Sequence, residues 1–306
     1  MAPAAVLYSD IPFTARDGLR LYARRYPARD PNSPARRPVL CLPGLTRNGR
    51  DFHDVAVALS GMAGVARDVY TIDYRGRGLS DTDPDWRNYA VPIEMLDVAD
   101  FITVQNLAGC AIIGTSRGGL IAMILAAAQP ASFGPLVLND IGPVIERSGL
   151  ARISAYAGRI PLPGSWPEAT KLVRDMNVRA FPSVPEDKWE QMARQWFNER
   201  QGRPAPGYDP KIGNSLSVLD GPVPALWPQF EALKSHPLMV LRGENSDILS
   251  AETVDEMRRR HPLFTDLVVK GQGHAPLLAD KATISGISAF LDATDGVAGH
   301  ALRAIA

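Results

Sequence analysis

Ser116 lies in Gly114-Thr115-Ser116-Arg117-Gly118, between an apolar run of strand length at 110–113 and a helical pattern at 117–129 that Pro130 stops. That setting makes it a candidate nucleophile. A strand that turns sharply into a helix needs small residues on both sides of the bend, and it lifts the central side chain at the sheet's edge. The unpaired N–H groups of the helix's first turn then face whatever the serine attacks. Acyl transfer by serine also needs a base within hydrogen-bond reach and an acid that fixes the base's tautomer. Of the five histidines, His274 is favoured as the base, because Gly271-Gln272-Gly273-His274-Ala275-Pro276 follows the last strand-like run and its glycines permit a tight turn. His53 falls in a helical pattern, His236 and His261 precede prolines near helix ends, and His300 is in the tail.

Two residues compete as the acid. Asp247 ends Arg242-Gly243-Glu244-Asn245-Ser246-Asp247, in the loop after the run 238–241, and Asp140 directly follows Leu136-Val137-Leu138-Asn139. Both belong at the carboxyl edge of a parallel sheet, where Ser116 also lies. The chain order Ser, Asp, His fits either. Asp247 is favoured because the loop after the later strand is the commoner location, and Asp140 is the alternative, its other reading being a brace for the segment that follows.

The elements that must position these residues are legible as a rhythm. Alternating segments at 8–15 and 19–26 flank Asp17-Gly18, a hairpin signal. Short apolar runs at 39–42, 69–72, 110–113, 136–138, 238–241 and 267–269 then alternate with helical patterns at 51–60, 93–106, 117–129, 251–260 and 281–291. This is the βα alternation of a mostly parallel, eight-stranded, doubly wound α/β sheet covered on both faces. The rhythm breaks at 143–215, which reads as a helical cap inserted after the sixth strand into a core made of 1–142 and 216–306. Helices are expected there at 167–180 and 186–200. The second places Trp189, Met192 and Trp196 at helical spacing, a stripe read first as packing onto the main domain. Trp166, Trp189 and Trp196 are also the candidate substrate contacts.

With 306 residues the chain can bury a sizeable core, and 33 basic residues balance 33 acidic ones. No global basic field draws nucleic acid or an anionic membrane, so a small-molecule substrate is expected. The first seven residues lack the basic and long apolar regions of a secretory leader, and no run is long enough to span a bilayer. The cytoplasm is therefore the expected location. Cys41 and Cys110 each sit in an apolar strand-like run and are read as buried reduced thiols. No histidine pair has metal-ligand spacing, and no Walker or dinucleotide fingerprint occurs, so neither a metal nor a cofactor is expected.

The elbow Gly114-Thr115-Ser116-Arg117-Gly118-Gly119, Asp247 in its loop and His274 after Gly273 resemble the α/β-hydrolase superfamily. Leu42-Pro43-Gly44-Leu45 after the third strand and Asp73-Tyr74-Arg75-Gly76-Arg77-Gly78-Leu79-Ser80 after the fourth extend the resemblance to nearly the whole chain. It implies an oxyanion hole made of the backbone N–H groups of Leu45 and Arg117, each contributing on the order of 3 kcal/mol. Pro43 stands where the family commonly has histidine, but the donor comes from Leu45. The Arg117 guanidinium is expected to pair with a nearby acid rather than with a substrate carboxylate. The Asp73–Ser80 loop is expected to brace the elbow rather than to bind phosphate.

The resemblance implies a cofactor-independent serine hydrolase that cleaves a carboxylic ester of a small or medium apolar compound through an acyl-enzyme. A C–C bond hydrolase of ring-cleavage products or a lactonase is the alternative, though many such C–C hydrolases have Trp where Ala275 stands. Dehalogenases and epoxide hydrolases of this fold use Asp at the elbow, and Ser116 argues against both. A catalytically weak ligand-binding protein on the same scaffold is the reading from another class.

Overall fold

The computed structural model describes residues 7–217 and 224–295, so His300 and most of the first seven residues lie outside it. The chain opens with the antiparallel hairpin β1 (Ser9–Thr14) and β2 (Arg20–Tyr26). Its turn closes through Gly18 in the left-handed region (φ +90), whose N–H donates to Ala15 O at 2.9 Å. From there β3 (Val39–Leu42), α1 (His53–Gly61), β4 (Val69–Asp73), α2 (Val91–Val104), β5 (Cys110–Thr115), α3 (Arg117–Ala128) and β6 (Phe133–Asn139) follow the expected alternation. Beyond β6 come α4 (Arg147–Tyr156), α5 (Trp166–Asn177), α6 (Lys188–Trp196), the ribbon β7 (Asn198–Arg200) and β8 (Arg203–Ala205), α7 (Asn214–Ser217) and α8 (Trp227–Glu231). The chain then rejoins the sheet with β9 (Leu238–Gly243), α9 (Ala251–Arg260), β10 (Phe264–Val269) and α10 (Lys281–Asp295).

Eight strands form one sheet in the order β1-β2-β4-β3-β5-β6-β9-β10, antiparallel at β1-β2-β4 and parallel from β4 onward. The inner strands are apolar without alternation because both faces are covered. Leu40, Ile112, Leu136, Leu138 and Val240 pack on one side with Val98 of α2, Ile121 and Leu125 of α3 and Met257 of α9. Their neighbours Val39, Cys41, Ile113, Val137 and Leu241 pack on the other with Val55 and Leu59 of α1 and Ile287 and Leu291 of α10. Alternate residues of one strand thus feed two cores, and the parallel strands bring all their carboxyl ends to one edge.

Among the described residues, the segment between β6 and β9 adds no strand to this sheet. Helices α5 and α6 enclose a separate apolar cluster of Val173, Phe181, Trp189, Met192 and Phe197. The helix expected over 186–200 stops at Trp196, because Phe197 turns to extended backbone (φ −104, ψ 146). Residues 198–205 instead form the β7-β8 ribbon, turning through Gly202 at φ +74. Helix α4 carries no strong apolar stripe in sequence. It docks closely enough on the β9-α9 loop that a Cβ on Gly149 would collide with the Asp247 carbonyl.

Candidate active site

Ser116 caps α3 at the end of β5 with φ 51 and ψ −113, a region that L-residues adopt at a cost of order 1–3 kcal/mol. The flanking glycines explain how the bend is tolerated. A Cβ on Gly114 would stand 2.7 Å from Gly119 N, and one on Gly118 would strike the Leu42 carbonyl. The bend is fixed by Ser116 N–H donating to Asn139 O at 3.0 Å and by Gly119 N–H donating back to Ser116 O at 2.9 Å. Gly44 lies against the turn, since a Cβ there would be 3.8 Å from Ser116 Cβ. The following residue, Leu45, lines the same cavity as Ser116.

His274 comes from the loop after β10. Its Nε2 lies 2.9 Å from Ser116 Oγ and its Nδ1 2.8 Å from Asp140 Oδ2. The loop is held by Asn139 Nδ2 donating to Pro276 O (3.0 Å) and by Leu277 N–H donating to Gln272 Oε1 (2.8 Å). Gly273 is needed because a Cβ there would lie 2.7 Å from Ala180 Cβ on the overlying segment.

The acid assignment changes. Asp247, expected to orient His274, accepts from Arg152 Nε at 2.6 Å and Nη2 at 2.8 Å instead. The Arg152 bond holds its carboxyl below the usual aspartate value. Asp140 makes the expected contact. It is fully buried just past β6, its φ of 58 swinging the side chain across the sheet edge toward the β9 and β10 loops. Its Oδ1 accepts from Gly243 N–H (2.8 Å), and its Oδ2 accepts from Ser246 Oγ (2.7 Å) as well as facing His274. Three donors compensate the loss of water around a buried carboxylate.

Above these residues lies a cavity of about 310 Å³, lined on the overlying side by Ile153, Tyr156, Met176, Phe181, Met192 and Trp196. Of the three tryptophans expected against substrate, only Trp196 reaches it, its ring under the Arg47 guanidinium at 4.3 Å. Trp189 is 1% exposed inside the α5-α6 cluster, and Trp166 stacks under Arg194 at 4.4 Å away from the cavity lining. Helical spacing marks a buried face without saying which cluster fills it.

The other three described histidines are bonded elsewhere: His53 to Tyr26 Oη (3.1 Å), His236 to Pro130 O (3.0 Å) and His261 to Leu233 O (2.8 Å). Cys41 and Cys110 are buried free thiols, and burial pushes both up, Cys110 to about 12. Among the described residues no group of three or more His, Cys, Asp or Glu is placed to hold a metal, and no helix is long and apolar enough to cross a membrane. The Arg117 guanidinium turns away from the cavity onto Glu94, at 2.5 Å. Arg75 of the β4-α2 loop is likewise buried, bidentate on Asp97 at 2.6 and 2.7 Å, which leaves that loop little free charge for phosphate.

The sequence pattern described as the Alpha/beta hydrolase family matches residues 39–285. The chain belongs to the α/β-hydrolases. This α/β-hydrolase is 34% identical over 265 residues to a 3-hydroxybutyrate-oligomer hydrolase of Cupriavidus necator, covering 84% of this chain and 88% of the relative. It is 27% identical to an sn-1-specific diacylglycerol lipase of Xenopus tropicalis, covering 78% and 72%. Among solved structures, an α/β-hydrolase of Novosphingobium aromaticivorans superposes with a TM-score of 0.85 at 38% identity, covering 94% of this chain and 99% of that one.

Proposed function

We propose that this hydrolase is a serine esterase that cleaves a carboxylic ester of a small or medium apolar compound through an acyl-enzyme. Ser116 Oγ attacks the ester carbonyl while its proton passes to His274 Nε2. The imidazolium is steadied through Nδ1–H by Asp140, which stays ionised. The carbonyl oxygen, negative in the tetrahedral intermediate, is met by the N–H groups of Leu45 and Arg117. Collapse expels the alcohol, which takes the proton from His274. Water then attacks the acyl-enzyme with His274 again as base, freeing the acid and restoring Ser116.

The observation that carries this reading is the unbroken chain from Asp140 to His274 to Ser116, at 2.8 and 2.9 Å, opening into an apolar-walled cavity. The cavity's volume of about 310 Å³ sits at the lower end of the usual range for small-molecule sites, roughly 300–1,000 Å³, which favours a compact substrate. The segment from α4 to α7 acts as the cap that shapes it. The substrates named for two of its relatives, a 3-hydroxybutyrate oligomer and a diacylglycerol, both contain carboxylic ester bonds, which supports an ester over a C–C bond. Ala275 after the histidine supports the same choice.

A panel of aryl esters, lactones and vinylogous diketones tests it. Turnover of short esters by the wild type that Ser116→Ala abolishes is the expected result. Turnover confined to the diketones, or ester turnover unchanged in Ser116→Ala, would overturn the esterase reading.

A further inference from the structure

Behind the proposed oxyanion hole lies a buried charge cluster that the catalytic scheme does not use. Glu94, in the first turn of α2, is fully buried and accepts from two arginines at once: Arg77 Nη1 at 2.6 Å on Oε1 and Arg117 Nε at 2.5 Å on Oε2. Burial opposes its ionisation, yet the two guanidiniums outweigh it and hold the carboxyl below the ordinary glutamate value. The other bonds of these arginines give the cluster its meaning. Arg77 Nε donates to the carbonyl of Leu45 at 2.9 Å, and its Nη1 also donates to Arg75 O at 2.7 Å. Arg117 Nη2 donates to Tyr89 O at 2.8 Å. The rings of Tyr74 and Tyr89 pack about the Arg77 guanidinium at 5.8 and 5.4 Å.

One carboxylate therefore ties together the two residues whose backbone N–H groups are assigned to the oxyanion. The path runs from the Leu45 carbonyl through Arg77, Glu94 and the Arg117 side chain to the backbone of Arg117. A planar guanidinium has fixed geometry, and each of these two spans Glu94 and a backbone carbonyl, so the pair on one buried carboxylate forms a rigid spacer rather than a flexible contact. We propose that Glu94 is a positioning residue, holding the β3-α1 loop at Leu45 and the start of α3 at Arg117 at the separation that aims both N–H groups at the developing oxyanion. This rests on the acyl-transfer reading above. It also gives the β4-α2 loop, with Arg77 buried beneath the site, a role in the reaction.

The test is Glu94→Gln. A glutamine amide offers one acceptor oxygen where two arginines need one each, so one arginine must let go, while side-chain size is kept. Rates are taken per serine titrated with a p-nitrophenyl phosphonate, so that a fall in the folded fraction does not count. Binding is read with a matched pair of inhibitors, an alkyl trifluoromethyl ketone and its alkane counterpart. Ser116 Oγ adds to the ketone carbon as its proton passes to His274, which leaves a hemiketal oxyanion in the hole. The alkane fills only the cavity.

Glu94→Gln is expected to lower kcat about tenfold to a hundredfold, less than the 10²–10³ lost when a donor is removed outright, with KM within about twofold. Trifluoromethyl ketone inhibition should weaken by the same factor as kcat/KM, with alkane inhibition unchanged and Glu94→Asp intermediate. If the Gln variant does not fold, Arg77→Lys decides, because it keeps the charge facing Glu94 but loses the Nε–H bond to the Leu45 carbonyl, and the same split is expected. A folded variant with kcat and ketone inhibition within twofold of wild type overturns the proposal. So does a rise in kcat, which would mean that the cluster acts through its charge alone. Absence of both ester turnover and phosphonate titration in the wild type would instead remove the acyl-transfer reading on which it stands.

Discussion

Asn at position 140 should disable the enzyme through a tautomer change that the local geometry dictates. Asp140 Oδ1 receives the backbone N–H of Gly243, a donor that cannot rotate, while Oδ2 faces His274 Nδ1 and receives the Ser246 hydroxyl, which can. In Asp140→Asn, the amide oxygen must therefore take the Gly243 side, and the NH₂ group turns toward His274. Nδ1 then becomes an acceptor, the proton moves to Nε2, and Nε2–H points at Ser116 Oγ, from which it can no longer remove a proton. Loss of the correct tautomer in such a triad costs about 10⁴ in kcat, or about 5.5 kcal/mol of barrier. Asp247→Asn removes only an ion pair with Arg152 whose side chains are 35% and 44% exposed, worth at most about 1 kcal/mol. Its kcat should stay within about fivefold of wild type. Initial rates on a short p-nitrophenyl ester, with thermal melts to confirm folding, check both variants. A collapse in Asp247→Asn beside an Asp140→Asn variant within tenfold of wild type would refute the assignment.

Two further outcomes follow from the cavity and from the buried histidines. A second cavity of about 110 Å³ shares Thr46, Arg47 and Trp196 with the 310 Å³ one, so Trp196→Ala should join them. The preferred ester chain should then lengthen, each added methylene gaining up to about 0.8 kcal/mol, or roughly fourfold in kcat/KM. An unchanged chain-length profile would show that Trp196 does not divide the space. His261 is held neutral by burial, with Nε2–H on Leu233 O and Nδ1 accepting from Leu263 N–H at 3.2 Å, so its folded-state value lies below its ordinary one of 6.5. Its contribution to stability is thus complete above about pH 6.5 and is lost as pH falls below that toward the folded-state value. The denaturation midpoint of the wild type should therefore fall more steeply between pH 7 and 5 than that of His261→Gln, and equal slopes would count against this account.

Much of the frame was legible because it rests on short-range rules. Asp17-Gly18 marks a hairpin, unbroken apolar runs such as Val39–Leu42 mark strands covered on both faces, and Pro130 follows the end of α3. Ser116 and His274 could be singled out since each sits at a glycine-flanked turn at the sheet's carboxyl edge. The acid could not be decided that way. Asp140 and Asp247 both follow strands that end at this edge, and the outcome turns on the positive φ at Asp140 and on Arg152, which lies on a helix the sequence barely marks and which takes up Asp247. The tryptophans failed for a related reason. Trp189 and Trp196 lie seven residues apart on one helical stripe, yet one faces a closed cluster and the other an open cavity. The Glu94 cluster joins residues 45, 77, 94 and 117, and its hydrogen bonds depend on tertiary packing rather than on any local pattern.

The most direct test of the central claim, that Ser116 is an activated nucleophile, is intact mass after exposure to a fluorophosphonate, with peptide mapping of the adduct. One phosphonyl group on Ser116 of the wild type, none on Ser116→Ala and strongly slowed labelling of His274→Ala is the predicted result. An unmodified wild type, or an adduct that persists in Ser116→Ala, would contradict it.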